Sequence, residues 1–287
     1  MQSGAQLGVM DKLETILGEQ TGAGVPPAAV LIAGATASGK SALALEIARR
    51  EGGVIINADS MQVYTELRVL TARPDAADEA AAPHRLYGHV PAAHAYSVAQ
   101  WLADVGQELR AAQAKGLLPV IVGGTGLYFK ALTEGLSPIP EIPADVRGRW
   151  RAAAQSTPAT ELHRLLAERD AQTAAAIRPS DTQRVVRALE VLEATGRPLT
   201  EWQRMPGSPL LAADRCRRLV VGIDRVTLYA RADARFVRMV EGGALDEVRA
   251  LMALELDPSL PAMRALGVAP LARHLAGEIG LETAIAD

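Results

Sequence analysis

Residues 34–41 read Gly34-Ala35-Thr36-Ala37-Ser38-Gly39-Lys40-Ser41, a GxxxxGKS run between an apolar stretch and a helix-forming one. Glycines at these spacings let successive backbone N–H groups turn inward around an anion, and the following helix N-terminus adds its partial positive charge. Lys40 supplies a full charge, and Ser41 a hydroxyl for a phosphate oxygen or Mg²⁺. The expectation is a phosphate-binding loop, with the phosphate compound left open. Phosphoryl-transfer enzymes on such loops usually hold Mg²⁺ with an Asp at a second strand end. The third apolar run ends in Gly123-Gly124-Thr125, with no acid. The acid at a strand end in this half is Asp59, within Asn57-Ala58-Asp59-Ser60-Met61-Gln62. Strand ends converge on one crevice in parallel sheets, so Asp59 and Thr125 are expected to face the loop. Asp59 is then a metal ligand, a general base or a helix N-cap, and Thr125 a site hydroxyl or a turn residue.

These groups need rigid elements to carry them. Ala28–Ala33, Val54–Ala58 and Leu117–Val122 read as buried strands, and 41–50 and 97–114 as helices. Strands alternating with helices predict an α/β core built on a parallel sheet. After Gly135, a Pro-rich linker leads into Ala- and Arg-rich helical stretches without strand character. There, Ser180 and Gln183 form a capping-box pattern ahead of an apolar stripe at Val185, Val186, Leu189 and Leu192. Strand character returns at 218–223, then helices broken at Gly242-Gly243 and Asp257-Pro258. The expected architecture is an arm over 1–27 with a helical turn at Leu13–Leu17, a core over 28–142 and 206–287, and a helical insertion over 143–205.

The chain has 30 basic and 33 acidic residues, net −3. Residues 143–218 hold 13 Arg against 9 acids, a basic stretch that suits a polyanion or simply solvated helix faces. Cys216, the single cysteine, excludes an internal disulfide and a cysteine metal cluster. The five histidines lack ligand spacing. No apolar run approaches the roughly 20 residues of a membrane span, and the N-terminus does not read as a secretory signal. A cytoplasmic protein without a membrane partner is expected.

The segments GATASGKS, ADSMQVY, LTARP, PHRL, VGGTGLYFKAL, QRVVRALEVLEATGRP and RF-xx-MVEGG, in this order from about Val30 to Gly277, resemble the isopentenyl-tRNA transferase family, the tRNA dimethylallyltransferases. The resemblance implies a P-loop NTPase-like, nucleotide-binding type of core with a helical tRNA-binding insertion. It implies transfer of a dimethylallyl group from dimethylallyl diphosphate to N6 of an adenosine beside the anticodon, on its 3′ side. Gly34 to Ser41 would hold the diphosphate, with Mg²⁺ at Ser41 and further contacts from Arg231 and Arg235. Lys40 would stabilise the leaving group, Asp59 would act as general base, and Thr125 would lie near diphosphate and target nucleotide. The anticodon stem-loop would meet Asp59, Ser60, Met61, Gln62, Thr125, Arg147, Gln183, Arg184, Val185, Val186 and Arg187. A monomer is expected. Arg73 stands where the family usually has lysine, and relatives generally continue past Asp287 with a basic segment that would strengthen tRNA binding. An ATP-dependent (ATP-binding) small-molecule kinase, or an RNA-binding module with a degenerate nucleotide site, is the alternative reading.

Overall fold

The computed structural model describes residues 27–286, so the expected arm and its helical turn at Leu13–Leu17 lie outside the described residues. The chain divides into two compact units, residues 134–209 and the rest.

The larger unit is built on five parallel strands in the order β3-β2-β4-β1-β5: β1 (Ala29–Gly34), β2 (Gly53–Asn57), β3 (His84–Arg85), β4 (Leu118–Gly123) and β5 (Cys216–Val221). The β1, β2 and β4 sequences are near-continuous apolar runs because both sheet faces are covered. Alternate residues go to opposite sides, as the strand period of two requires. Val30, Ile32, Ile55, Val120 and Val122 pack under helix α1 (Lys40–Glu51) through Ala44, Ile47 and Ala48. Leu31, Val54, Ile56 and Ile121 face Trp101, Val105 and Tyr128, carried by α3 (Val98–Ala114) and α4 (Gly126–Glu134); the short helix α2 is Ala76–Ala81. Burying one such aliphatic or aromatic side chain is worth about 1.5–3 kcal/mol.

Strand and helix placement follow the sequence reading within one or two residues, with Ser97 capping α3 through a capping box. The region 59–96 is different. It is mostly irregular, and its apolar residues Val63, Tyr64, Leu67 and Leu70 enter a separate cluster with Val248, Leu251, Val268 and Leu271. In the described part, the last of those residues sit on α11 (Leu245–Met252) and α12 (Val268–Leu275). Before them runs α10 (Arg225–Met239), ended by a wide turn where Gly243 adopts φ 106°, the break expected at Gly242-Gly243.

The smaller unit holds α5 (Ala144–Ser156), α6 (Ala159–Arg169), α7 (Ala171–Ala176), α8 (Thr182–Thr195) and α9 (Leu199–Gln203), with no strand among them. Its core joins Leu162 and Leu166 to Val185, Val186, Leu189 and Leu199. The α8 cap is Asp181, whose carboxylate accepts from the Arg184 amide at 3.1 Å, one residue later than the expected Ser180. Either side chain suits the position, and the helix begins where Asp181 can accept this bond. The expected boundaries shift outward to 134 and 209. Arg215, Arg217 and Arg218, counted above in the basic stretch 143–218, lie in the larger unit, at and just before β5, on either boundary. Residues 134–209 then carry ten Arg and ten acids, no excess charge. The unit's ends meet: a Cβ on Gly135 would lie 2.4 Å from the Ser208 amide nitrogen. In the larger unit, Leu132 accepts at its carbonyl from the Leu210 and Leu211 amides at 3.0 and 3.1 Å.

Candidate active site

The loop after β1 turns into α1 with Gly39 at the helix N-cap in the left-handed region, φ 93°, and no side chain capping the first turn. That leaves first-turn amides facing outward beside Lys40 and Ser41. Ala37 also adopts a positive φ, 63°, a conformation that costs a non-glycine residue energy and tightens the loop. The Lys40 ammonium donates to the Ala35 carbonyl at 3.1 Å across the loop. The Ser38 hydroxyl is buried without a hydrogen-bond partner in the protein, an orphan that a ligand oxygen inside the loop would satisfy.

A cleft of about 590 Å³ opens over this loop. Lys40, Arg73, Arg231, Arg235 and Arg238 supply five cations to its walls, against Asp75 and Asp78. Those two acids are engaged at the start of α2. Asp75 accepts from the Ala77 and Asp78 amides at 2.8 and 2.9 Å, and Asp78 returns to the Asp75 amide. The cleft is therefore built for a polyanion. Burial lowers the Lys40 pKa, as it disfavours the ammonium; the Asp59 carboxylate opposes the shift and Arg235 adds to it. Arg235 is likewise lowered by burial and by Arg238, and raised by Asp59. Asp59 thus acts on the cleft's cations by its charge.

Asp59 is held at the end of β2 by a compact network. Its amide donates to the Asn57 side-chain oxygen at 2.8 Å, and Asn57 Nδ2 donates back to the Asp59 carbonyl at 2.9 Å and to the Leu86 carbonyl at 3.0 Å. One carboxylate oxygen of Asp59 accepts from the Met61 amide at 2.9 Å. No helix follows, so the helix N-cap reading falls and a short local turn replaces it. Thr125 Oγ1 accepts from the Ser60 amide at 3.0 Å and donates to Ser60 Oγ at 3.3 Å. The Thr125 amide donates to the Ala58 carbonyl at 3.2 Å, which binds the β4 turn to the β2 turn. Gly123 permits this approach: a Cβ there would stand 2.1 Å from the Ala58 carbonyl carbon.

The structure thus brings together the loop Gly34–Ser41, Arg231 and Arg235, and stitches Asp59 and Ser60 to Thr125. Met61 packs partly into the cluster around Tyr64, and Gln62 spends its amide donor on the Thr71 and Ala72 carbonyls at 2.8 and 3.1 Å. Arg147, Gln183, Arg184 and Arg187 lie in the helical unit. Gln183 and Arg184 are exposed and Arg187 is half-buried; Arg184 pairs with Asp181 at 3.3 Å and Arg187 with Glu190 at 3.4 Å. Arg147 donates to the Ile142 carbonyl at 3.2 Å. Val185 and Val186 correct the expectation for that helix: their side chains fill the unit's core and are not on its surface. Sequence reading missed Asn57 and Arg238. Asn57 carried a signal, a polar residue ending an otherwise apolar strand. Arg238 lies one turn beyond Arg235 on the same helix, which spacing alone could have paired with it.

With this geometry in place, similarity to known proteins can be read. The family model described as IPP transferase matches residues 62–287, and that described as isopentenyl transferase matches 27–89. The chain belongs to the IPP transferase family. The tRNA dimethylallyltransferase of Chelativorans sp. (strain BNC1) is 55% identical, over 89% of this chain and 88% of that protein. That of Methylobacterium nodulans is 58% identical over 90% of this chain and 85% of its own length. Among solved structures, the full-length tRNA isopentenylpyrophosphate transferase of Bacillus halodurans aligns with TM-score 0.59 and 31% identity, covering 90% of this chain and 80% of that one. A eukaryotic dimethylallyltransferase captured acting on tRNA aligns with TM-score 0.76 and 25% identity, covering 90% and 65%. Among the described residues no helix is long and apolar enough to cross a membrane.

Proposed function

We propose that the protein is a tRNA dimethylallyltransferase that alkylates N6 of the adenosine on the 3′ side of the anticodon, taking the five-carbon group from dimethylallyl diphosphate. The observation that carries this reading is the five-cation cleft over the loop, with Asp59 acting on two of those cations from an adjoining strand end. The reaction breaks the C1–O bond of the donor and forms an N6–C1 bond; diphosphate departs and N6 loses a proton. An allylic carbon leaves with cationic character, so stabilising the departing anion is the main electrostatic task. Loop amides, Lys40, Arg231 and Arg235 hold that anion. The adenine amine is a weak nucleophile because its lone pair is delocalised, and Asp59 accepts its proton as general base. Thr125 orders the Ser60 turn beside Asp59.

Among the described residues no cluster of three or more His, Cys, Asp or Glu side chains is arranged to hold a metal. That fits Mg²⁺ entering on the diphosphate, since Mg²⁺ keeps waters and phosphate oxygens and asks few protein ligands. Ser41, at the cleft wall, would be its protein contact. Bound there, Mg²⁺ supplies charge neutralisation for the diphosphate. The target base must leave its stack to react. Arg147, Gln183, Arg184 and Arg187 would grip the anticodon stem-loop, with the backbone of 185–186 beneath them. The enzyme would act in the cytoplasm, as a monomer.

The test is transfer of labelled dimethylallyl from its diphosphate to an anticodon stem-loop RNA. The expected product is N6-modified adenosine, with ATP neither required nor consumed. Phosphate transfer from ATP to a small molecule, with no RNA product, would refute the reading.

A further inference from the structure

Glu247, on α11, takes no part in the chemistry above, yet its carboxylate is unusually committed. One oxygen accepts from the Arg68 amide at 2.7 Å and the Val69 amide at 2.6 Å, the other from the Leu70 amide at 2.9 Å. Three successive amides around one carboxylate form an anion nest. The same peptide units point their carbonyls the other way. The Arg68 carbonyl accepts from the Arg73 amide at 3.0 Å, and the Val69 carbonyl from the Ala72 amide at 2.9 Å. Two peptide groups therefore bridge Glu247 to Ala72 and Arg73, each polarised by the carboxylate so that its carbonyl is a stronger acceptor. Ala72 is held at φ 48°, a conformation that must be imposed by surrounding bonds. Ala72 and Arg73 both line the cleft.

The Arg73 side chain is fixed from the other side. Nη1 donates to the Tyr64 and Thr65 carbonyls at 3.2 and 3.1 Å, and the guanidinium lies against Gly88, where a Cβ would come within 2.1 Å. Its Nε is buried without a partner. An Arg locked in this way holds its charge in one place beside the cleft it lines, unlike a flexible lysine. Arg73 ends the 68–73 turn, and two things hold that turn to the body of the unit: Leu70, packed into the cluster with Val248 and Leu251, and Glu247, whose carboxylate fixes the amides on the same helix's side.

We propose that Glu247 is a positioning residue for donor binding: by clamping the 68–70 amides it places Ala72 and Arg73 against the diphosphate. The proposal rests on reading the cleft as a diphosphate site, and it can fail while that reading stands. Calorimetric titration of inorganic diphosphate, with Mg²⁺, into the full chain gives the primary readout. Glu247→Ala is expected to weaken binding about tenfold, the lower end of what removing an outer partner of a ligand-holding group usually costs. The KM for dimethylallyl diphosphate should rise in step, with kcat at saturating donor and the KM for tRNA little changed. Arg73→Gln should show a similar loss. The double variant should be no weaker than Arg73→Gln alone, because the two act through one element. Glu247→Gln, which keeps one oxygen acceptor, should lie between wild type and Ala, and is the variant to read if Ala does not fold. Wild-type diphosphate affinity in the Glu247 variants, or losses that simply multiply in the double variant, would overturn the assignment. Failure of the wild type to bind diphosphate would overturn both the assignment and the reading beneath it.

Discussion

Asp59→Asn isolates the proton-accepting role from the architecture around it. The Asp59 amide bond to Asn57 and its carbonyl bond from Asn57 Nδ2 involve only backbone atoms of residue 59, so they survive. The Asn side-chain oxygen can still accept from the Met61 amide, at the 2.9 Å now seen, though as a neutral acceptor. Stability should therefore fall by no more than about 1 kcal/mol, the difference between a charged and a neutral acceptor at a partly exposed site. The chemical loss is larger. Removing a general base costs about 10²–10⁴-fold in rate, or roughly 3–5 kcal/mol of barrier. A second effect has a definite sign. Asp59 raises the Lys40 pKa against the lowering by burial, so without it Lys40 falls further. Binding that needs the ammonium is present below the Lys40 pKa and lost above it, so the alkaline decline in diphosphate affinity should begin at lower pH in the variant. Single-turnover transfer to anticodon stem-loop RNA measures the first effect, and diphosphate titration across pH the second. Wild-type turnover, or an alkaline limb that moves to higher pH, would refute the placement of Asp59 against both the amine and the cleft.

Three further outcomes are expected. Lys40→Ala should raise the KM for dimethylallyl diphosphate and weaken inhibition by diphosphate, which in the wild type should compete with that donor; noncompetitive inhibition by diphosphate would speak against a shared site. Gly123→Ala places a Cβ about 1.3 Å inside ordinary 3.4 Å contact with the Ala58 carbonyl carbon, and a shift of that size at Asp59 should lower kcat about 10²-fold, with a melting measurement registering roughly 1–3 kcal/mol of strain; an unchanged kcat would show that the β2 and β4 ends need not touch. Arg184→Ala with Arg187→Ala should weaken tRNA binding and lower the log–log salt slope by about 1.4 for two phosphate contacts on non-duplex RNA, whereas identical slopes would leave both arginines as partners of Asp181 and Glu190 alone.

The loop was legible because its residues are contiguous and its flanks are periodic. Asp59 and Thr125 could be placed together because parallel strand ends converge, although 65 positions separate Thr125 from its partner Ser60. The 59–96 region resisted reading for a physical reason. Its order comes from non-periodic bonds such as those of Gln62 and Arg73, and from a cluster whose other half lies beyond residue 244. β3, at two residues, is too short to show a period. Charge misled in a different way. Arg217 and Arg218 lie on β5 and Arg215 just before it, yet in the sequence they prolong the arginine-rich helical stretch, and a charge count over 143–218 credited the helices with arginines outside them, whereas residues 134–209 balance at ten and ten. Val185 and Val186 show the same limit at residue scale. A segment proposed to meet RNA can still give half its side chains to packing, and the helical period already separates the two groups.

The pinched stem of the helical unit has a consequence for protein engineering. Gly135 and Ser208 touch backbone to backbone, and just outside them Leu132 is bonded to Leu210 and Leu211. The point of departure from the catalytic body and the point of return are thus a turn's width apart. Excising the head and sealing the gap with a few turn-forming residues would leave no long loop to order, and β5 could still find β1 in its present register. By the same geometry a foreign head of similar stem spacing could be grafted in its place, and if the head carries the RNA contacts proposed for it, RNA selectivity would become exchangeable separately from the chemistry.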